Sequence, residues 1–360
     1  MPVTWIRANA SAPVRWRTLN EVLPPGSATD EDRLSLREES LAYKEVTQIT
    51  RKQKEGGTWG GNMLGLGPDK SLGVRGVGTV ATYRRLVELG VPDDFHPVTR
   101  TNRTFFRILS RDPDFKLHFE YEKLSKKDPA VAEWSRSLLQ EGVVASLVQS
   151  GHGDDPRVRG AAHRMATNVS QFLRSDAVED PFEQVGSKTV LRQDAHLPTV
   201  FTVAMVAFMT SMQRERAGFT ERLVQYLTQP PPDGHYSIAV GEATLKPMYH
   251  LVGDPLLIDA SGKPADIPFA LHWIEMLTRM GMLEASTTAL QALNHLLADC
   301  NDQGVWDPKN LRGFPKSTSG LADHAFPLEP DAKKVEARKV DVTFRLALIA
   351  KLAGWELEFT

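Results

Sequence analysis

The stretch Gln53-Lys54-Glu55-Gly56-Gly57-Thr58-Trp59-Gly60-Gly61 ends an amphipathic segment with a polar turn and follows it with Gly-x-aromatic. Weaker forms of it return at Gln229-Pro230-Pro231-Pro232-Asp233-Gly234-His235-Tyr236 and at Asn301-Asp302-Gln303-Gly304-Val305-Trp306-Asp307-Pro308. A turn plus aromatic that recurs after helical segments is the pattern of a stacked helical array. Glycine permits a positive-φ turn, the aromatic ring folds back over the preceding helix end, and glutamine bridges backbone groups at a neighbouring one. That role is mechanical rather than chemical.

Working outward, the segments on either side read as helices. Thr29-Asp30 is an N-cap candidate before Leu34, Leu41, Val46 and Ile49. Val80, Tyr83, Leu86 and Leu89 follow at helical spacing until Gly90. Val131–Leu147, closed by Gly151, and Arg157–Leu173, opened by Asp155-Pro156, continue the idiom. Leu197–Met212 is apolar on nearly all sides, as in a helix packed on both flanks. Phe219–Leu227, Phe269–Met280, Ser286–Leu297 and Val340–Leu352 complete the set, with Gly281 and Gly354 as stops. Alternation of the strand type is confined to pieces such as Tyr236–Val240. The expected fold is all-α, an α/α toroid or closed helical-repeat array with long loops. Residues 1–30, rich in Pro, Ala and Arg, are expected as an extended N-terminal arm, and 31–360 as a single helical-repeat domain.

Composition narrows the function classes. Among 360 residues, 41% are hydrophobic and 24% charged, ordinary for a folded water-exposed protein. A formal net charge of -2 gives no bulk attraction to nucleic acid or anionic membranes. The single cysteine, Cys300, excludes an intrachain disulfide framework and fits a cytoplasmic location. The longest apolar segment, Val200–Met212, is too short to span a bilayer. The amino terminus lacks the charged-then-apolar pattern of a secretory signal.

The turns at Gln53, Gly57 and Trp59, at Gln229, Gly234 and Tyr236, and at Gly304 and Trp306 resemble the repeat of the terpenoid cyclase and protein prenyltransferase superfamily. Leu86–Pro92 and Ser150–Val158 resemble helix-to-helix connections of bacterial relatives of that group. The resemblance implies an α/α toroid with a central cavity for an apolar or isoprenoid-like small molecule. It carries no cofactor with it here. The Asp-x-Asp-Asp acid of hopene-type cyclases is absent; His152-Gly153-Asp154-Asp155 matches it only superficially. Asp299, Cys300 and His324 have the residue types of the prenyltransferase zinc ligands, in that order, in a poorly matching context. A buried, inert Cys300 is the stronger reading.

Two pairs are candidates for acid–base chemistry. Asp194 and His196 precede the most apolar helix, where they either face a cavity as a proton-transfer pair or cap the helix. Asp323 and His324 lie in a long loop carrying aromatics and polar groups, the setting of many lids and binding loops. The nine glycines between Gly56 and Gly78 match no phosphate-binding pattern in its proper context. Two other readings stay open: a non-catalytic helical-repeat module that binds a protein or polymer, and an α/α-barrel glycan lyase or hydrolase with Trp59, Tyr236 or Trp306 in a cleft.

Overall fold

The computed structural model describes residues 1–64, 78–110, 128–192, 194–232, 234–247, 249–317, 319–322, 324–330 and 334–359. In chain order, α1 (Val3–Asn9), α2 (Ala12–Arg17), α3 (Asp30–Leu41) and α4 (Lys44–Arg51) precede α5 (Thr79–Glu88) and α6 (His96–Leu109). Then come α7 (Pro129–Gln149), α8 (Pro156–Phe172) and the strands β1 (Phe182–Val185) and β2 (Lys188–Leu191). The helices α9 (Val200–Phe208), α10 (Thr210–Glu215) and α11 (Ala217–Leu227) lead to β3 (Ser237–Val240) and β4 (Ala243–Leu245). The chain closes with α12 (Ile267–Arg279), α13 (Thr287–Ala298) and α14 (Val335–Leu352). It forms two compact units, the first from Met1–Arg51, Arg84–Pro92 and Leu256–Thr360, the second from Lys52–Tyr83 and Asp93–Pro255. Residues 1–30, expected as an extended arm, carry α1, α2 and a π-helical turn over Thr18–Val22, with Ile6, Val14 and Val22 fully buried.

The all-α expectation, toroid included, is corrected by a four-stranded mixed sheet in the second unit, although 55% of the described residues are helical. Its order is β1-β2-β3-β4. Two antiparallel hairpins, each turned by a positive-φ glycine (Gly186, Gly241), are joined by a parallel pairing of Val190 with Ser237 and Leu191 with Ile238. Strands this short leave almost no periodicity to read, and the β1 residues Glu183, Gln184 and Val185 are exposed. Only β3 falls inside the one alternating piece noted above. The missed signal was the two-residue loops, Gly186-Ser187 and Gly241-Glu242, which are hairpin chemistry.

The helix ends follow local rules. Thr29 caps α3 in a capping box with Asp32, and Asp155 caps α8 by accepting from Arg157 N–H. At Gly90, Gly151, Gly281 and Gly354 the glycine N–H and the next residue's N–H bond back to the last helical turn. This is the Schellman closure that a left-handed glycine allows.

The Gly-aromatic turn is a true structural repeat with a different membership from the one its sequence suggests. Lys54 N–H donates to Thr58 O and Gly57 N–H to Lys54 O, at 2.8 and 2.9 Å. Asn301 N–H to Val305 O and Gly304 N–H to Asn301 O reproduce the pattern, as do Asp259 N–H to Lys263 O and Gly262 N–H to Asp259 O. Trp59 N–H then meets Thr79 Oγ1, and Trp306 N–H meets Thr343 Oγ1. Both indoles are buried. Pro264 takes the aromatic's place in the Gly262 turn, which is why the sequence hides it. Gln53 Nε2 donates to Pro97 O at 2.7 Å and to Thr101 Oγ1 at 3.0 Å, tying the turn to the first coil of α6.

In the first unit α12 and α14 pack together, and the centre of α14 is buried from Val340 to Ala350. Arg345 stands in the middle of that run. Its guanidinium donates to Glu275 Oε2 and Glu88 Oε2, each at 2.6 Å, and to Ala325 O at 2.7 Å. Arg17 reaches the same Glu88 oxygen at 2.7 Å, and Arg279 holds Glu275 at 2.9 Å. Burial alone would raise the Glu88 carboxyl, yet Arg345 and Arg17 outweigh it and hold it well below the usual range. Removing one member strands buried opposite charges, so Arg345→Met is expected to cost about 3–5 kcal/mol in urea unfolding.

The turn itself is also testable. Gly57 has φ +72, and a Cβ there would sit 2.7 Å from the Arg100 carbonyl. Gly57→Ala should lower stability by about 1–3 kcal/mol or more. Gly56→Ala, where a Cβ meets nothing within 4 Å, should leave the thermal midpoint nearly unchanged. Equal midpoints for the two variants would show that the turn has no such constraint.

Candidate active site

A pocket of about 410 Å³ opens in the second unit, walled by α7, α8, the sheet and the segment before α9. On α7 it is lined by Trp134, Ser137, Leu138 and Glu141. These fall at i, i+3, i+4 and i+7 and therefore share one face of the helix. Opposite them stand Leu191 of β2 and Ile238 and Val240 of β3. The sheet absent from the sequence expectation thus makes a wall of the site. Gly142, directly after Glu141, lets α7 approach its neighbours: a Cβ there would lie 3.2–3.4 Å from Leu64, Val80 and Phe201 side chains.

Thr199 organises the polar end. It is the N-cap of α9, its Oγ1 accepting from Thr202 N–H at 3.2 Å, and Oγ1 also contacts Glu141 Oε2 at 2.7 Å. A hydroxyl has one proton, and accepting from Thr202 leaves that proton for Glu141. Oε2 accepts from that hydroxyl when Glu141 is ionised; when Glu141 is protonated, the hydroxyl's second lone pair can take the acid proton while its own proton turns to Thr202 Oγ1, 3.3 Å away. Glu141 retains some exposure, and Oε1 has no hydrogen-bond partner among the described residues. Burial pushes the Glu141 carboxyl up to about 7 against the opposing pull of the Thr199 bond.

His250 is placed by backbone. Val200 N–H bonds to Tyr249 O and Leu251 N–H to Pro198 O, a bridge that sets His250 opposite Thr199. Its ring lies nearly parallel to the Trp134 indole, centroids 6.5 Å apart. Burial lowers the imidazole to about 4, and its Nδ1 is enclosed without a partner. At neutral pH the pocket therefore holds a neutral imidazole and a carboxyl near its midpoint, and neither shift has the other group among its causes.

Of the residues expected from sequence, His196 lines this pocket and is exposed, whereas Asp194 faces outward. Arg192 takes the Asp194 carboxylate with two bonds at 3.0 and 2.8 Å and lowers its affinity for protons. Neither Asp194 nor His196 caps α9, since Thr199 does. Asp323 lies outside the described residues. His324 is buried in the first unit, edge-on to His272 with centroids 5.3 Å apart. Burial, then the charge of Arg84, depresses both imidazoles, His272 to about 4. Cys300 is a half-buried thiol pushed up to about 11 by burial and then by Asp299, and its backbone pairs with Trp306. Among the described residues no group of His, Cys, Asp or Glu is placed to hold a metal ion, and no helix is long and apolar enough to cross a membrane. Glu141 and His250 were missed by sequence reasoning. The available signal was an acid on the same stripe as Trp134 and Leu138, just before the wholly buried run Gly142–Val148. No protein family, curated protein or solved structure matches the chain.

The carboxyl band of protonated Glu141 in infrared difference spectra should disappear with a midpoint near pH 7 and be missing from Glu141→Gln. Thr199→Val removes the bond that stabilises the anion and should move the midpoint higher. The folded acid also binds its proton more tightly than the unfolded one, whose value is near 4.5. Its contribution to stability is thus full below 4.5 and lost as pH rises through about 7, and Glu141→Gln should flatten that decline.

Proposed function

We propose that the second-unit pocket is an acid–base site for a small, mainly apolar molecule bearing a protonatable oxygen or nitrogen, with Glu141 as the proton-carrying group. The observation that carries this reading is the Glu141 carboxyl, which lines the pocket, is held by Thr199 at Oε2 and has no hydrogen-bond partner among the described residues at Oε1. A group whose midpoint lies at the working pH maximises the product of correct charge state and driving force for transfer. His250, neutral and stacked on Trp134, offers a second polar contact beside it.

The magnitude of the shift also selects the chemistry. A carboxyl raised to about 7 is a weaker acid than an ordinary one, the wrong direction for protonating an isolated alkene. It suits exchange with a heteroatom, or removal of a proton made acidic by a neighbouring carbonyl. Of the isoprenoid expectation, this reading keeps the apolar walls and drops initiation by alkene protonation.

The test is to identify molecules retained by the native protein by mass spectrometry and to incubate them in D2O with wild type and with Glu141→Gln. Chemical conversion, or deuterium fixed at carbon, should be slower in the variant by about 100-fold or more. Equal rates in the two proteins would remove Glu141 from the chemistry.

A further inference from the structure

We infer that the ligand head group received in this pocket is a basic nitrogen, bound as an ammonium ion against the Glu141 carboxylate with its apolar body along α7 and the sheet. The inference deepens the acid–base reading and rests on it. Its basis is the distribution of charge around the pocket. The titratable and charged side chains lining it are Glu141 on α7, Arg192 and His196 on the segment before α9, and His250 on the bridged segment. The lining residues of α8 (Met165, Asn168, Val169) and of β3 (Ile238, Ala239, Val240) bring no charge. Arg192 is engaged by Asp194 through both carboxylate oxygens. Glu141 is therefore the acid of the pocket whose partner is a hydroxyl and which has no counter-ion among the described residues.

Each ligand class meets this arrangement differently. An anionic head group faces a carboxylate that repels it once ionised. A carbonyl bonds only to the protonated acid and weakens as pH rises, whereas an alcohol accepts from the acid or donates to the carboxylate and gains no ion pair from ionisation. An ammonium ion supplies the missing counter-charge where water is scarce and Coulomb attraction is strong. It converts a desolvated acid into an ion pair and stabilises the carboxylate form. Leu138, Met165 and Ile238 offer the body of the ligand an apolar surface. The cation that completes the site is then brought by the ligand rather than by the chain.

A matched series tests this: hexylammonium, hexanol and hexanoate, each titrated calorimetrically into the full-length protein at pH 6 and pH 8. With a midpoint near 7, the ionised fraction of Glu141 rises from about one tenth to about nine tenths across this interval. Hexylammonium should therefore bind roughly tenfold more tightly at pH 8, with proton release when titrated near pH 7. Hexanol should show no such gain, and hexanoate should bind least at pH 8. Glu141→Gln keeps an oxygen for the Thr199 hydroxyl and should abolish the pH-dependent preference for the amine while still binding hexanol, which shows the pocket intact. Any pH dependence that arises from other groups would persist in that variant. Equal affinity for hexanol and hexylammonium at pH 8, or an amine preference retained by Glu141→Gln, overturns the inference. The infrared titration of ligand-free protein separates the two levels. If Glu141 titrates near 7 with no amine preference, only this inference fails; a midpoint near 4.5 removes the acid–base reading beneath it.

Discussion

The Thr199 hydroxyl joins a helix terminus, a helix–helix contact and a chemical site through one oxygen. It accepts from Thr202 to begin α9 and donates to Glu141 in the body of α7, the helix against which α9 packs. The backbone bridge through Pro198 and Val200 adds the segment carrying His250 to the same point. Because a hydroxyl has a single proton, these contacts are not independent. The hydroxyl that caps α9 is the same one that holds Glu141 Oε2. A requirement of helix initiation thus also holds the acid of the proposed chemistry.

The two units treat buried charge in opposite ways. In the first, Glu88 and Glu275 are enclosed by Arg17, Arg279 and Arg345, and each carboxylate finds cations within hydrogen-bond distance. Their shifted proton affinities report an ion network that positions α12 and α14. Such a network is a structural element even though its pKa shifts resemble those of an active site. Desolvation is the largest influence on all three carboxyls, and Glu141 differs because no cation offsets it and its partner is an uncharged hydroxyl. An acid left without a counter-charge beside an open volume retains free energy that a ligand can recover, and one already neutralised by arginine does not.

Much of the local structure was legible in the chain. The stops at Gly90, Gly151, Gly281 and Gly354 and the caps at Thr29 and Asp155 are contained within a few residues, so their chemistry is visible without the rest of the fold. The turn at Gly57 shares its hydrogen-bond pattern with that at Gly304, as the shared Gly-x-Trp suggests. Its third member, at Gly262, has proline where the others have tryptophan, because the turn needs the glycine conformation and not the aromatic ring. The aromatic was the conspicuous feature and the glycine the governing one. Gln229–Tyr236, chosen for its composition, runs instead into β3.

Sequence by itself determined many of the helix ends from Thr29 onward, that helices dominate the described residues, and that one glycine turn recurs, because these are consequences of backbone preferences over a few residues. Tertiary structure decided the parallel pairing of β2 with β3, which joins residues nearly fifty positions apart through only two registered pairs. It also decided the charge logic of the carboxylates. Glu88, Glu141 and Glu275 are the same residue type on helices and burial desolvates all three, yet Arg345 and Arg17 reach Glu88, Arg279 and Arg345 reach Glu275, and no cation among the described residues reaches Glu141. Proton affinity depends on solvent exclusion and on charges contributed across the fold, and neither is encoded in the residues next to a glutamate.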